Sequence, residues 1–431
     1  MIALAPHDPA LDPVRLAIVD ARRAQLAWAE QSPRARARAM RELRILLAEN
    51  ASRLAHSAAA IGDRPVAEKM VSEVLPLLEA ARFLEKNVAR IFRAKKFAGH
   101  GRPFWLRGHS FTVTRKPFGV ILIVGPSNYP LFLPAVQALQ ALAAGNAVVV
   151  KPAQGATAPL TEFAQLVRRA GFPSQLLYLL PEPAAAAREA VRCGIDKAIF
   201  TGSSKNGRDF LALLAQTNTP SVMELSGQDH VFVRADADLD LAAKAIAFGL
   251  RLNDGNTCIA PHTVLAHNSV AVALTNKLKT LAAEPTRIIA VSDDNEALQI
   301  TSRNEYGLGA SIFSRDEKAA RVLADKMETG FVTINDMIVP TADPRFPFGG
   351  IRGSGVGVTR GEEGLLEMTY PQAVSVRHGR AHPHLGPAQE HDADLFAAFA
   401  GFAHGRGTGP RFRSLRRLFQ LGAARMKGTR K

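Results

Sequence analysis

The sequence is poor in cysteine. Its 431 residues contain two, Cys193 and Cys258, too few for a disulfide framework, and the chain reads as one from a reduced, cytosol-like compartment. Aromatic residues are also scarce, at 6%. The N-terminal stretch lacks a continuous apolar core followed by a cleavage site, so no signal peptide and a cytoplasmic location are expected. Charge is missing from Pro117 to Val150, "PFGVILIVGPSNYPLFLPAVQALQALAAGNAVVV". By length alone that run could span a membrane. Pro126, Pro130 and Pro134, with Asn128, Gln137 and Gln140, argue instead for a buried strand, a turn, a helix and a second strand. No metal site is expected. Acidic residues are missing from the tail, where Gly405 to Lys431 carries nine Lys or Arg and no Asp or Glu. That tail accounts for much of the net charge of +15, and such an excess bears on partners rather than on fold.

What is present has an α/β rhythm. Residues 14 to 95 read as helical, with Ser32 an expected N-cap and Pro33 at the first helical position. A hairpin is expected over 103–117. Then "GVILIVGP", "NAVVVKPA", "SQLLYLL" and "KAIFTGS" alternate with helical stretches, the pattern of a doubly wound parallel sheet whose ligands bind beyond the strands' C-terminal ends. Near Glu224 the pattern restarts, as if a second α/β unit begins there.

Several short stretches place chemistry at those strand ends. "FTGSSKNGR" is a strand, a Gly-Ser turn and a helix start, which suits a pyrophosphate through Gly202 and Ser203 but is common in any turn. "VVVKPAQ" puts Lys151 at a strand end. "GPSNYP" puts Asn128 after a buried strand, as an oxyanion donor or a turn former. "MELSGQD" gives Glu224 an apolar setting, as a general base or a paired structural carboxylate. Cys258, in "NDGNTCIAP", reads equally as a small core residue, because free cysteine is commonly buried.

Taken in order, "GPSNYP", "VVVKPA", "FTGSSKNGR", "ELSG", "GNTC" and "PFGGIRGSGVG" resemble the motif series of the aldehyde dehydrogenase superfamily, from about residue 15 to 380. The likeness is greatest to the branch with fatty-aldehyde dehydrogenases. It implies an α/β aldehyde dehydrogenase-like fold with a Rossmann-type NAD(P)-binding domain over 1–226, including the 103–117 hairpin. A catalytic domain would span 227–370 and an oligomerisation strand 371–380. A linker and basic tail would follow over 381–431. The resemblance further implies Cys258 as nucleophile, Asn128 and the Cys258 backbone N–H as the oxyanion site, and Glu224 as the base that activates water. Lys151, Gln154, Gly202, Ser203 and Phe348 would hold NAD or NADP. The partners implied are an aldehyde, long-chain or hydrophobic by likeness to that branch, and a second copy or more in a homodimer or homotetramer.

Three departures modify that expectation. Gln154 stands where the family commonly has Glu, which weakens the case for NAD over NADP. The span after Cys258 is short and lacks the family's Glu-x-Phe-Gly-Pro motif, with Glu284 a poor stand-in. Ser226 replaces a family Gly and is expected to crowd Glu224 or let water in. These departures keep open a second reading, a non-catalytic member acting as a scaffold. In the tail, Phe412, Leu415, Leu418, Phe419 and Met426 fall near one helical face among arginines, the pattern of a peripheral membrane contact over 405–431. A docked helix and a disordered tail are alternatives. Nucleic acid is not expected, because no binding motif accompanies the charge.

Overall fold

A computed structural model describes residues 12–283, 285, 287–379 and 382–428. The larger of two units takes the chain up to Lys96 and from Thr112 to Val374; the smaller takes Phe97–Phe111 and the chain from Ser375 on. The strands in chain order are β1 (Lys95–Phe97), β2 (His109–Pro117), β3 (Val120–Val124), β4 (Ala147–Lys151), β5 (Leu177–Leu179), β6 (Lys197–Thr201), β7 (Ser221–Glu224), β8 (Asp229–Val233), β9 (Pro261–His267) and β10 (Arg287–Val291). They continue with β11 (Tyr306–Gly307), β12 (Gly309–Phe313), β13 (Phe331–Ile334), β14 (Ile351–Arg352), β15 (Gly355–Val356) and β16 (Thr369–Arg377).

The larger unit holds two parallel sheets. The first runs β15-β7-β6-β3-β4-β5, parallel throughout except for β15 against β7. From β3 the chain builds outward through β4 and β5, then returns to the other side of β3 for β6 and β7. The strand order therefore reverses between β3 and β6, and a crevice opens beyond the strand ends at that point. The second sheet runs β10-β9-β8-β12-β13, all parallel. Helices cover both of its faces, which is why two apolar clusters, around Ile246 and around Leu323, lie on it.

The uncharged run resolves as the sequence suggests, into β3, a helix over Phe132–Ala144 and β4. That helix is buried along its whole length, so its terminal backbone groups must find partners inside the protein. At the N-terminal end Glu73 Oε2 accepts the backbone N–H groups of Leu131 at 2.7 Å and Phe132 at 3.0 Å. At the C-terminal end Trp28 Nε1 donates to the Leu142 carbonyl, Arg36 Nε to Ala143 and Gln25 Nε2 to Gly145. An anion at the start and a cation at the end also match the helix dipole. The N-terminal helices thus form the floor under this helix. Ser32 caps the second of them, its Oγ accepting from Ala35.

Glu73 is itself paired with Lys69 at 2.9 Å, and both side chains are essentially inaccessible. They lie on a helical stretch that passes through a π-helical turn over Met70–Val74. Lys69 Nζ also reaches the Asn128 carbonyl and Asn253 Oδ1, each at 3.4 Å.

Two sequence expectations are corrected. Strand β2 pairs with β1 and β16 in a three-stranded sheet of order β1-β2-β16, so the strand before β2 is 95–97 and the expected hairpin segment 103–108 is a turn with a short 3-10 stretch. The expected linker is helical over Asp392–His404, and in the smaller unit that helix packs against the tail helix Thr408–Gly428. Its apolar "LFAAFAGFA" run finds a partner there. Leu415 and Leu418 are half-buried, whereas Phe412 and Phe419 are exposed, and the Met426 side chain lies outside the described residues. Among the described residues no helix is long and apolar enough to cross a membrane.

Breaking the buried pair is the sharpest test of this floor. Lys69→Met leaves Glu73 without its counter-charge, and urea unfolding should show a loss of about 3 kcal/mol.

Candidate functional site

Beyond the ends of β3, β4, β6 and β7 lies a cleft of about 1300 Å³. Its far wall is the turn before β9, carrying Cys258, with residues 338–342, Phe348 and Arg360. Lys151, Gln154, Gly202, Ser203, Asn128, Glu224 and Phe348 all line it, so the structure gathers the expected catalytic and cofactor-binding residues around one space.

One end of the cleft suits a phosphate-bearing ligand. Ser203 caps the helix Ser204–Ala215, its side chain accepting from Asn206 N at 3.3 Å. The start of that helix lines the cleft through Ser203 and Asn206 and brings the positive end of the helix dipole to it. Gly202 precedes it, where a Cβ would press on the Phe200 ring at 2.9 Å. Lys151 is half-buried, and burial lowers its ammonium from the ordinary value. Gln154 is exposed on the next turn. Glu182, which interacts with Lys151, accepts from Gly155 N at 2.9 Å and Thr157 Oγ1 at 2.6 Å and is held below the usual carboxylate range by those bonds. The donors present, one ammonium, one helix start and a side-chain-free approach, fit a dinucleotide pyrophosphate and its ribose.

Ser226 does not crowd the base. Its hydroxyl accepts from Ser204 N at 3.2 Å, and its carbonyl accepts from Ser354 Oγ at 2.8 Å. The added oxygen is therefore spent on the helix start. Glu284 lies outside the described residues; the span after Cys258 consists of β9, a helix over Asn268–Thr280, β10 at the sheet edge and a helix over Asp294–Ser302.

The reactive end holds Glu224, Cys258 and Asn128. Glu224 ends β7 and is 3% exposed. Its Oε2 accepts from Thr201 Oγ1 at 3.0 Å and Gln137 Nε2 at 3.1 Å, and its Oε1 from Thr359. Burial raises its pKa above the ordinary carboxylate value, while those three donors and the Arg360 charge oppose the rise. The β15 segment closes over this strand end because Gly355 has φ +127° and a Cβ there would overlap the Met223 carbonyl oxygen.

Cys258 follows a tight turn in which Asn253 and Asp254 both adopt left-handed backbone. That turn comes down against Gly227, where any Cβ would overlap the Cys258 carbonyl oxygen. Burial pushes the thiol up to about 12, with the Asp229 and Glu224 carboxylates adding to the rise and Arg360 working against it. Asn128 Nδ2 donates to the Asn256 carbonyl at 2.8 Å, and its Oδ1 accepts from Tyr129 N at 3.0 Å. One of its two amide hydrogens therefore remains to serve the cleft.

Sequence reasoning missed four contributors. Thr201, Gln137 and Thr359 hold the Glu224 carboxylate, and Arg360 sits beside Phe348. Gln137 carried a signal, as a polar residue inside an uncharged apolar helix. Arg360 carried less, because an arginine in a Gly-rich stretch reads as exposed.

Against known proteins, the profile described as the aldehyde dehydrogenase family matches residues 7–288 and 286–374. The chain is 26% identical to the 4,4'-diapolycopene aldehyde oxidase of a Methylomonas species, over 93% of this chain and 89% of that protein. It is also 26% identical to aldehyde dehydrogenase [NAD(P)+] 1 of Saccharomyces cerevisiae, over 81% of this chain and 84% of that one. The crystal structure of an NAD-dependent aldehyde dehydrogenase from Sinorhizobium meliloti superposes with a TM-score of 0.80 at 22% identity, covering 87% and 89% of the two chains.

Proposed function

The chain belongs to the aldehyde dehydrogenase family, and from that premise we propose that it oxidises an aldehyde to a carboxylic acid with NAD or NADP, through Cys258. The observation that carries the reading is the convergence of Cys258, Glu224 and Asn128 on one cleft whose other end suits a dinucleotide.

The Cys258 thiol gives its proton to the Glu224 carboxylate as the sulfur forms a bond to the aldehyde carbon, and the carbonyl π pair moves onto oxygen. The free N–H of Asn128 and the Cys258 backbone N–H hold that oxygen as charge develops. Lys151, Gly202 and Ser203 would hold NAD or NADP, whose nicotinamide ring would supply the acceptor for the carbon's hydrogen with its electron pair; loss of that hydride turns the thiohemiacetal into a thioester. Glu224, after releasing the thiol's proton to solvent, then takes a proton from the water that attacks the acyl carbon. The C–S bond breaks, and the acid leaves with the sulfur free again. Thr201, Gln137 and Thr359 keep the Glu224 carboxylate aimed.

The mouth of the cleft exposes Val71, Phe248 and Val339, which favours a long-chain or hydrophobic aldehyde. The relative named for 4,4'-diapolycopene aldehyde supports the same class. Gln154 removes the carboxylate that repels a 2′-phosphate in the family, and the yeast relative's name allows both cofactors. A homodimer or homotetramer is part of the reading. It is supported by β16, an edge strand with Tyr370, Val374 and Val376 exposed. The smaller unit presents Phe412 and Phe419 among Arg411, Arg413, Arg416 and Arg417, all exposed, which supports peripheral contact with an anionic membrane.

Three measurements test these statements. Cys258→Ala should abolish oxidation of a graded series of aldehydes. Glu224→Gln should slow the burst of reduced cofactor, which needs the carboxylate to take the thiol proton, and lose the turnover that follows it. In the wild type the base works only when ionised, so turnover should fall with decreasing pH at a pH above the ordinary carboxylate range. Activity surviving in Cys258→Ala overturns the mechanism, and a wild type inert toward the whole series favours the scaffold.

The ratio of kcat/KM for NAD over NADP should lie well under a thousand, that is, below about 4 kcal/mol.

The variant Phe412→Ser/Phe419→Ser should lose cosedimentation with anionic vesicles that the wild-type chain shows. Equal binding by both removes the membrane role.

A further inference from the structure

The cleft holds a cation that the steps above leave unused. Arg360 is 5% exposed, yet its guanidinium lines the same space as Cys258 and Glu224. It stacks on the Phe348 ring at 4.3 Å and donates through a terminal nitrogen to the Thr341 carbonyl. Its Nε is buried without a hydrogen-bond partner. The backbone at Arg360 has φ +63°, a strained value for a residue with a long side chain, and its N–H meets Gln140 Oε1 at 3.3 Å. The two residues on either side of this contact are not independent of the base. Thr359, the preceding residue, donates to Glu224, and Gln137, one turn before Gln140 on the same helix, does so too. One loop and one helix thus fix the carboxylate and the cation together.

The charged groups around the thiol are lopsided. Glu224 and Asp229 face Cys258 as acids, and the Tyr129 phenol faces it as well. Arg360 is the cation that faces both Cys258 and Glu224. Lys69, the other buried cation at the cleft, is taken up by Glu73, Asn128 and Asn253. His262 also lines the cleft.

We propose that Arg360 is a positioning residue for the reaction proposed above: its guanidinium supplies the positive charge that the Cys258 thiolate and the Glu224 carboxylate share. Supporting this, Glu224 and the Cys258 thiol oppose the lowering that burial imposes on the guanidinium, and the guanidinium opposes the upward push of burial on each of them. The inference rests on the proposed activity, so its test reads the thiol directly.

Ligand-free wild type, Arg360→Met and Arg360→Lys are alkylated with iodoacetamide between pH 7 and 9.5, and the peptides carrying Cys258 and Cys193 are quantified separately. Throughout that range the Cys258 rate follows its small thiolate fraction. Arg360→Met should slow Cys258 by about tenfold or more at every pH, because the thiolate loses its counter-charge, while Cys193 is unchanged. Arg360→Lys, which restores a charge, should recover most of the rate. In turnover, the acid limb should move to higher pH in Arg360→Met, because Glu224 then protonates more readily. A Cys258 rate in Arg360→Met within twofold of wild type overturns the proposal, and so does a loss that Arg360→Lys fails to repair. Absence of aldehyde oxidation in the wild type would instead sink the activity, and the alkylation would still report on the cation.

Discussion

The constraint on which the rest depends is the fastening of two loops from different sheets. Asn128 follows β3 of the first sheet, and Cys258 precedes β9 of the second. Asn128 Nδ2 bonds the Asn256 carbonyl, Asn253 Nδ2 bonds the Asn128 carbonyl at 2.9 Å, and the Tyr129 and Thr257 hydroxyls meet at 2.8 Å. Each such bond is worth roughly 1 kcal/mol net, but together they fix the thiol relative to the oxyanion donor. Lys69 and Glu73 extend the fastening to the N-terminal helices, since Lys69 touches both loops while Glu73 caps the helix after Asn128. The three elements carry different parts of the sequence into one site.

Glu224 shows what burial does to a working carboxylate. An ionised carboxylate at 3% exposure is tolerable only with hydrogen-bond donors and a counter-charge. Here three side chains donate to it and a guanidinium faces it. Asp229 is the contrast. It is buried in the second sheet, accepts from Gly309 N, and is raised well above the ordinary range with no cation to offset burial. Two acids of similar burial thus have different chemistry, and the difference lies in their donors rather than in depth.

Much of this was legible in the sequence because the strands are short, apolar and bounded by turns. "GVILIVGP", "NAVVVKPA" and "KAIFTGS" became neighbours in one sheet, which put Asn128, Lys151 and Gly202 at the same edge. The tail was less legible. "LFAAFAGFA" follows a Pro- and Gly-rich stretch that reads as linker, and its helix depends on packing against the helix beyond it. Ser226 was misread for a related reason, since nothing in "ELSG" reveals that the turn after the neighbouring strand β6 brings the Ser204 amide to its hydroxyl. Arg360 was invisible because its role needs a left-handed backbone and an aromatic ring brought alongside by the pairing of Phe348 with Thr359.

The charge count at the reactive end follows from these parts. A thiol near 12 carries very little thiolate at pH 7, and forming it there costs on the order of 7 kcal/mol if the proton goes to bulk water. Moving the proton to the neighbouring carboxylate is different, because the cleft then holds the same single negative charge before and after. One guanidinium compensates that charge wherever it sits, on Glu224 when the thiol is protonated and on sulfur when the carboxyl is. A second cation would stabilise the fully ionised state and weaken Glu224 as a base for water; none at all would leave a buried anion unpaired. The pairing of one arginine with one shareable negative charge lets Cys258 become a nucleophile and Glu224 a base in turn, without the cleft changing its net charge.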